Sequence, residues 1–292
     1  MRNEEKFADE VRSEPGSGEL SDAAESEIVL TAENTGKEIF RCGEVVGLRT
    51  ADRKVFDMSD GTEQAVFYSG AVHVFDGVAD AFVDADTGFV CESDGRHYAG
   101  GGDRFRVRFS TGEENSELFS FACGEHGITV SARENGRQRS RGTTPVLLGA
   151  DGGGEERLVY SGVQGGSDYE YSVVGNGVKE NIVVRERAEE YRYSFIIHPA
   201  NVTFRPDDGG KRIAFIANGT GEEVFFIPAP FMTDGSGAVS TDVSYITETA
   251  ANGNLILTIA ADSGWMNAED RIFPVVIDPQ IQVSGASAIS TY

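Results

Sequence analysis

Tryptophan occurs once, cysteine three times and histidine four times in this 292-residue chain. Cys42, Cys91 and Cys123 stand far apart, with no C-x-x-C and no histidine paired to them, so a cysteine-rich zinc module is excluded. An odd count also excludes a complete intrachain disulfide framework. The three read as small apolar core residues, with one disulfide pair as the alternative. No window approaches the ~18 consecutive apolar residues of a membrane span, so a soluble chain without membrane insertion is expected. The opening "MRNEEKFADEVRSEPGSGEL" has no apolar segment after its charges and is no secretory signal. The expectation is either a chain that stays inside the cell or one from which a leader was removed.

Basic residues are also in short supply. Against 48 acidic residues there are 25 Lys and Arg, a net charge of −23. Such a surface repels phosphates and anionic lipids, and no long Lys/Arg cluster reverses it locally. Nucleic acid and membrane are therefore expected to be poor partners.

The usual catalytic signatures are missing too. There is no G-x-S-x-G, no G-x-x-x-x-G-K-[ST], no H-E-x-x-H and no G-x-G-x-x-G between a strand and a helix. His73, His97, His126 and His198 are scattered one per segment. His73 in "GAVHVFD" and His198 in "FIIHPAN" read as half-buried strand residues. Acidic residues are so numerous that a pair at glycosidase distance is expected by chance. No catalytic or metal-ligating residue is assigned from sequence, and the binding residues stay unknown. Calcium is the one cofactor weighed: Asp84, Asp86 and Gly88 in "DADTG", Asp207 and Asp208 in "PDDGG" and Asp234 in "DGSG" offer loop oxygens, but none completes an EF-hand and Asp-Gly is ordinary turn chemistry. Trp265 is expected to plug the core rather than to serve as a sugar platform.

What is abundant is two-residue alternation. In "RFRVRF" Phe105, Val107 and Phe109 share one face and Arg104, Arg106 and Arg108 the other. "YRYSFII" alternates Tyr191, Tyr193, Phe195 and Ile197, and "NLILTIA" places Leu255, Leu257 and Ile259 on one side. Turn signals separate such runs: "SDGT", "GGGD", "ENGR", "GNG", "PDDGG", "ANGT", "DGSG" and "ANGN". One wet and one apolar face, repeated at this spacing without a 12-residue helical stripe, predicts an all-β fold of antiparallel β-sandwich modules.

Residues 1–37 form an acidic leader read as mostly disordered, its first 36 residues holding ten acidic and three basic residues. A first β-rich module is expected over 38–150 and a second over 151–280, with 281–292 as a linker or the start of a further module. The polar, Gly- and Arg-rich stretch 131–157 is read as the domain boundary or as a long exposed loop. "RIFPVVIDP" closes the second module: Pro274 removes a ladder donor, which predicts an edge strand or a strand start, and Pro279 should end the pairing.

Four blocks carry a resemblance to a known family. The first contains Arg49, Lys54, Phe56, the turn at 60–62 and His73, and continues through Phe82, Val83 and Asp84. The second is "GDRFRVRFS". The third holds Tyr160, Asp168, Tyr171, Lys179 and Glu180. The fourth holds Pro228, Pro230, Met232, Asp234, Gly237 and Ser240, then Trp265, Arg271, Pro274, Asp278 and Pro279. Together, over about residues 43–280, the chain resembles the β-rich region preceding the repeats in bacterial wall-associated RHS/YD-repeat proteins and relatives carrying DNRLRE modules. The resemblance implies an extracellular or wall-associated place and other modules of the same large chain as partners. It brings no catalytic residue with it.

The function expected from sequence is thus a non-catalytic β-sandwich scaffold or interaction module of a large surface protein. The alternatives are a module binding cell-wall or host glycans, with Ca²⁺ as an aid, and then a glycan hydrolase.

Overall fold

The computed structural model describes residues 39–284, apart from 69–70, 103, 113–116, 135–136, 139–143, 150–155 and 208. The expected leader, the last eight residues and much of the polar stretch 131–157 lie outside the described residues. Within them the regular structure is almost entirely antiparallel strand; helix is confined to the 3-10 turn Val46–Leu48 and the short α-helix Ser263–Met266.

Two large sheets face each other. One runs in the order Val243–Thr249, Leu255–Ala261, Tyr191–Ala200, His126–Glu134, Glu117–Cys123, Arg106–Ser110, His97–Gly100 and Val90–Cys91. The other runs Val146–Leu148, Arg157–Gln164, Ser167–Val174, Gly177–Val184, Gln280–Val283, Glu223–Ile227, Ile213–Ala217 and Val202–Pro206. The alternation read from sequence holds at its strongest runs: Phe105, Val107, Phe109, Tyr191, Tyr193, Phe195, Ile197, Leu255, Leu257 and Ile259 are all buried. Aromatic rings bridge the sheets. Phe109 and Phe119 meet Tyr171 at 5.1 and 5.3 Å between centroids, and Phe121 meets Phe225 at 5.3 Å, in tilted and edge-on geometries that rings favour.

The expected boundary near residue 150 does not divide two cores. The chain passes repeatedly from one sheet to the other, and a single hydrophobic cluster runs from Phe89 to Val283. Local alternation reveals which residues face inward but not which sheet a strand joins, so it carries no information on how many cores the strands build.

A smaller unit precedes the sandwich. Arg41–Glu44, Arg53–Met58 and Glu63–Phe67 form a three-stranded sheet, and His73–Asp76 pairs with Ala81–Asp84 in a hairpin. Its buried apolar side chains, among the described residues, are Val55, Val66 and Ala71. It joins the sandwich at the Gly175–Asn176 turn, where Gly175 N–H donates to the Ala71 carbonyl (2.7 Å) and Ala71 N–H donates to Asn176 Oδ1 (3.3 Å).

In "RIFPVVIDP" the strand-start reading of Pro274 holds and the edge-strand alternative does not. Val275–Asp278 is an interior strand, paired to Gly177–Val184 on one side and Phe231–Thr233 on the other. Pro274 lies just before it, so no ladder donor is lost. Pro279 does not end pairing either: Gln280–Val283 continues between Gly177–Val184 and Glu223–Ile227. The Asp278–Pro279 step moves the chain from one neighbour to another.

Candidate functional site

The small N-terminal unit holds the densest group of convergent ionisable side chains. His73 starts its hairpin directly opposite Asp84. Its backbone N–H and that of Val72 both donate to the Ala51 carbonyl, at 3.1 and 2.7 Å, which sets the strand against the turn before Arg53. The imidazole is 1% exposed rather than half-buried as expected from sequence.

His73 Nδ1 lies 2.7 Å from the Thr50 carbonyl. A carbonyl can only accept, so Nδ1 carries a proton, and Nε2 is the nitrogen left to carry a second proton or to ligate. That atom is buried without a hydrogen-bond partner. It faces Glu44 Oε1 at 3.3 Å and Asp84 Oδ1 at 3.7 Å.

Arg49 holds the two carboxylates in place. The 3-10 turn after Glu44 folds the chain back, so that Arg49 Nε and Nη2 donate to Glu44 Oε1 and Oε2, each at 2.8 Å. Nη2 also reaches Asp84 Oδ2 at 3.2 Å, and Lys54 Nζ stands 3.8 Å from Asp84 Oδ1. The hydrogen bond to Glu44 raises the guanidinium pKa, burial opposes this, and the Asp84 charge adds to the rise. Arg49 and Glu44 are mostly covered, while the Asp84 side chain is 65% exposed and forms the open side of the group. An imidazole lone pair between two fixed carboxylates is equipped to accept a proton or to ligate a cation.

A second group, Glu92, Asp94 and His97, is spoken for by Arg108. The guanidinium donates to Glu92 at 2.9 and 2.6 Å and to His97 Nδ1 at 3.2 Å, which occupies that nitrogen's lone pair. His126 Nδ1 meets the Asn201 carbonyl at 3.0 Å, and His198 is half-buried in its strand, as read from sequence.

The loops weighed for calcium serve turns. Asp86 Oδ1 accepts from Gly88 N–H, and Asp207 Oδ1 from Lys211 N–H; Asp208 lies outside the described residues. Asp234 is fully engaged by its own loop and by Arg271. Trp265 is half-buried at the edge of the core, its ring 3.7 Å from the Arg271 guanidinium carbon. The cysteines are all free, and only Cys123 is buried. Burial pushes its thiol up to about 11.

Between the sheets, Glu180 borders a cavity of about 30 Å³ lined mainly by apolar residues such as Phe119, Val130 and Leu257. Burial pushes its carboxyl up to about 7, against the hydrogen bond from Tyr171, with the Asp278 charge adding to the rise. Neither this acid nor the His73 group was assigned from sequence. Glu44 and Asp84 lie 29 and 11 residues from His73, a separation with no motif in it; only the fold brings them together.

No family model matches the chain, and no solved structure matches it. Curated relatives do. The chain is 27% identical over 259 residues to the tRNA nuclease WapA of Bacillus subtilis strain 168, a match covering 86% of this chain and 11% of the relative. It is equally similar to the tRNA(Glu)-specific nuclease WapA of Bacillus subtilis subsp. natto, and 26% identical to the tRNA3(Ser)-specific nuclease WapA of Bacillus spizizenii. The chain thus spans about a tenth of the length of these relatives.

Three expectations are corrected by these relatives: a non-catalytic scaffold or glycan-binding module, the absence of enzyme function, and nucleic acid as an unfit partner. Proteins named for tRNA cleavage are enzymes whose substrate is a nucleic acid. Charge and missing motifs speak only for the residues of this chain, which corresponds to about a tenth of each of these relatives.

Proposed function

We propose that this chain is the β-sandwich section of a large tRNA-directed nuclease. The observation that carries this reading is the similarity to three relatives named as tRNA nucleases, extending over 86% of the chain. The resemblance to wall-associated RHS/YD-repeat proteins supports an extracellular or wall-associated place for it. Among the described residues no helix is long and apolar enough to cross a membrane.

The test is cleavage of end-labelled total tRNA by the polypeptide that carries this sequence at its full genomic extent, in Mg²⁺, Mn²⁺ and EDTA, with this section alone in parallel. Discrete tRNA fragments from the long polypeptide are expected. Intact tRNA under every condition overturns the reading. Fractionation of the producing cells into wall, medium and cytoplasm checks the location.

A further inference from the structure

We propose that Glu44, His73 and Asp84 form a binding site for a first-row divalent transition cation of the Zn²⁺ type. The site stands apart from the nuclease reading and holds whether or not tRNA is the substrate.

The first support is the state of His73. Its Nδ1–H is fixed on a backbone carbonyl, the arrangement that ligating histidines use to present the opposite nitrogen. That nitrogen is buried and has no hydrogen-bond partner. A lone pair facing two carboxylate oxygens is repelled by both, and a cation placed between them turns three repulsions into three bonds.

The second support is metric. Nε2 is 3.3 Å from Glu44 Oε1 and 3.7 Å from Asp84 Oδ1, and the three ligand atoms all lie within 4.8 Å of one another. Tetrahedral Zn²⁺ bonds of about 2.0–2.1 Å separate their ligands by about 3.3–3.4 Å, so small movements bring the set to bonding distance. One imidazole with two carboxylates suits Zn²⁺ or Mn²⁺ better than Ca²⁺, which takes 6–8 oxygen ligands. Arg49 orients both carboxylates, with Nε on Glu44 Oε1, Nη2 on Glu44 Oε2 and on Asp84 Oδ2, and Lys54 Nζ stands 3.8 Å from Asp84 Oδ1; a bound cation would share these oxygens with them.

The third support is need. The unit that carries the site has only three buried apolar side chains among its described residues, too few for an independent core. Units this small are commonly fastened by a metal or disulfides, and the cysteines here are free. Glu44 comes from the three-stranded sheet, and His73 and Asp84 from the hairpin, so one cation would clip the two pieces together.

The competing occupant of the gap is a proton on Nε2, and metal binding separates the two. The whole chain, stripped with chelator, is titrated with Zn²⁺ by calorimetry and with Co²⁺ by visible absorption at neutral pH. One Zn²⁺ per chain, a Co²⁺ spectrum with an imidazole ligand and a raised Tm are expected. His73→Ala should abolish binding, and Asp84→Asn, at an exposed position that leaves the fold intact, should weaken it ~10-fold or more. If His73→Ala fails to fold, Asp84→Asn and Glu44→Gln decide. Glu92→Gln, in the Arg108-held group, should change nothing. No Zn²⁺ bound, or binding at full affinity in Asp84→Asn and Glu44→Gln, overturns the proposal.

Discussion

Asp234 and Arg271 form a buried ion pair, Oδ2 to Nη1 2.7 Å, with side chains 0% and 7% exposed. Asp234 Oδ1 accepts from Ser236 N–H, Ser236 Oγ–H and Ala238 N–H; Oδ2 accepts also from Ile272 N–H. Burial alone would raise this carboxyl, but those hydrogen bonds and the guanidinium outweigh it and hold the carboxyl well below the usual range. Arg271 lies over Trp265 and donates from Nε to its carbonyl at 3.2 Å. One arginine thus pins the "DGSG" loop to the short helix before the closing strand. Removing it leaves a buried carboxylate without its cation, which costs about 3–5 kcal/mol. Arg271→Ala should lose that much in urea denaturation at pH 7, and a loss under 1 kcal/mol would show that the pair contributes little. Since the folded pKa of Asp234 is depressed, its stabilisation is complete above pH ~4 and disappears as pH falls below that. The difference between wild type and Asp234→Asn should shrink towards pH 2.

Trp265 sits at the rim of the core under this arginine, not at its centre. Trp265→Ala should therefore cost less than truncating a ring that is fully enclosed. Phe121, 1% exposed, stacked on Phe105 and edge-on to Phe225, is the comparison. Phe121→Ala is expected to lose about 3–5 kcal/mol and Trp265→Ala about 1–3 kcal/mol. Equal losses in parallel denaturation curves would put Trp265 back among the core residues.

The strands were legible in the sequence because inward and outward residues alternate, and that pattern is local. Phe105, Val107 and Phe109 needed nothing beyond their own six-residue run. The sheet partners were not legible. Tyr191–Ala200 pairs with His126–Glu134 and Leu255–Ala261, and nothing in its alternation names either neighbour. The Asp234 loop read as an ordinary turn because its cation lies 37 residues away. Glu44, His73 and Asp84 were hidden for the same reason: three unremarkable strand ends acquire their chemistry only when the register sets them side by side.

Glu180 should give the chain an unusual pH dependence. Its carboxyl, pushed up from 4.5 to about 7 chiefly by burial, keeps its proton in the folded chain at pH values where the unfolded chain has released it. The favourable contribution is complete below pH ~4.5 and is lost as pH rises through about 7. Tyr171, Asp278 with its partner Lys179, and Tyr245 are the titratable groups around it. Glu180→Gln should match wild type near pH 4 and exceed it at pH 8 by on the order of 1–3 kcal/mol. A variant weaker than wild type at pH 8 would mean that the charged acid is well solvated through the cavity.

Thiol reactivity offers a direct check on the packing. Cys42 and Cys91 are exposed and Cys123 is buried, with its thiol raised to about 11. The thiolate is the reactive form, so burial slows Cys123 through access and through thiolate fraction together. Ellman's reagent at pH 8 should label two thiols quickly in the native chain and three in denaturant. Three fast thiols in the native chain would contradict the placement of Cys123 in the core.

Gly177 tests how the closing segment is seated. A Cβ built there would collide with the Ile281 carbonyl, because Gly177 faces Gln282 in the ladder where the chain has just stepped past Pro279. Backbone cannot retreat as a flexible side chain can, so Gly177→Ala must displace Gln280–Val283 from its place between Gly177–Val184 and Glu223–Ile227. The expected result is a loss of about 1–3 kcal/mol from overpacking, together with faster amide exchange at Ile281 and Val283. Val275 to Asp278, held on the other side of the step by Phe231–Thr233, should keep their protection. Uniformly faster exchange along both strands would mean that they form one cooperative element and that the Asp278–Pro279 step does not uncouple them.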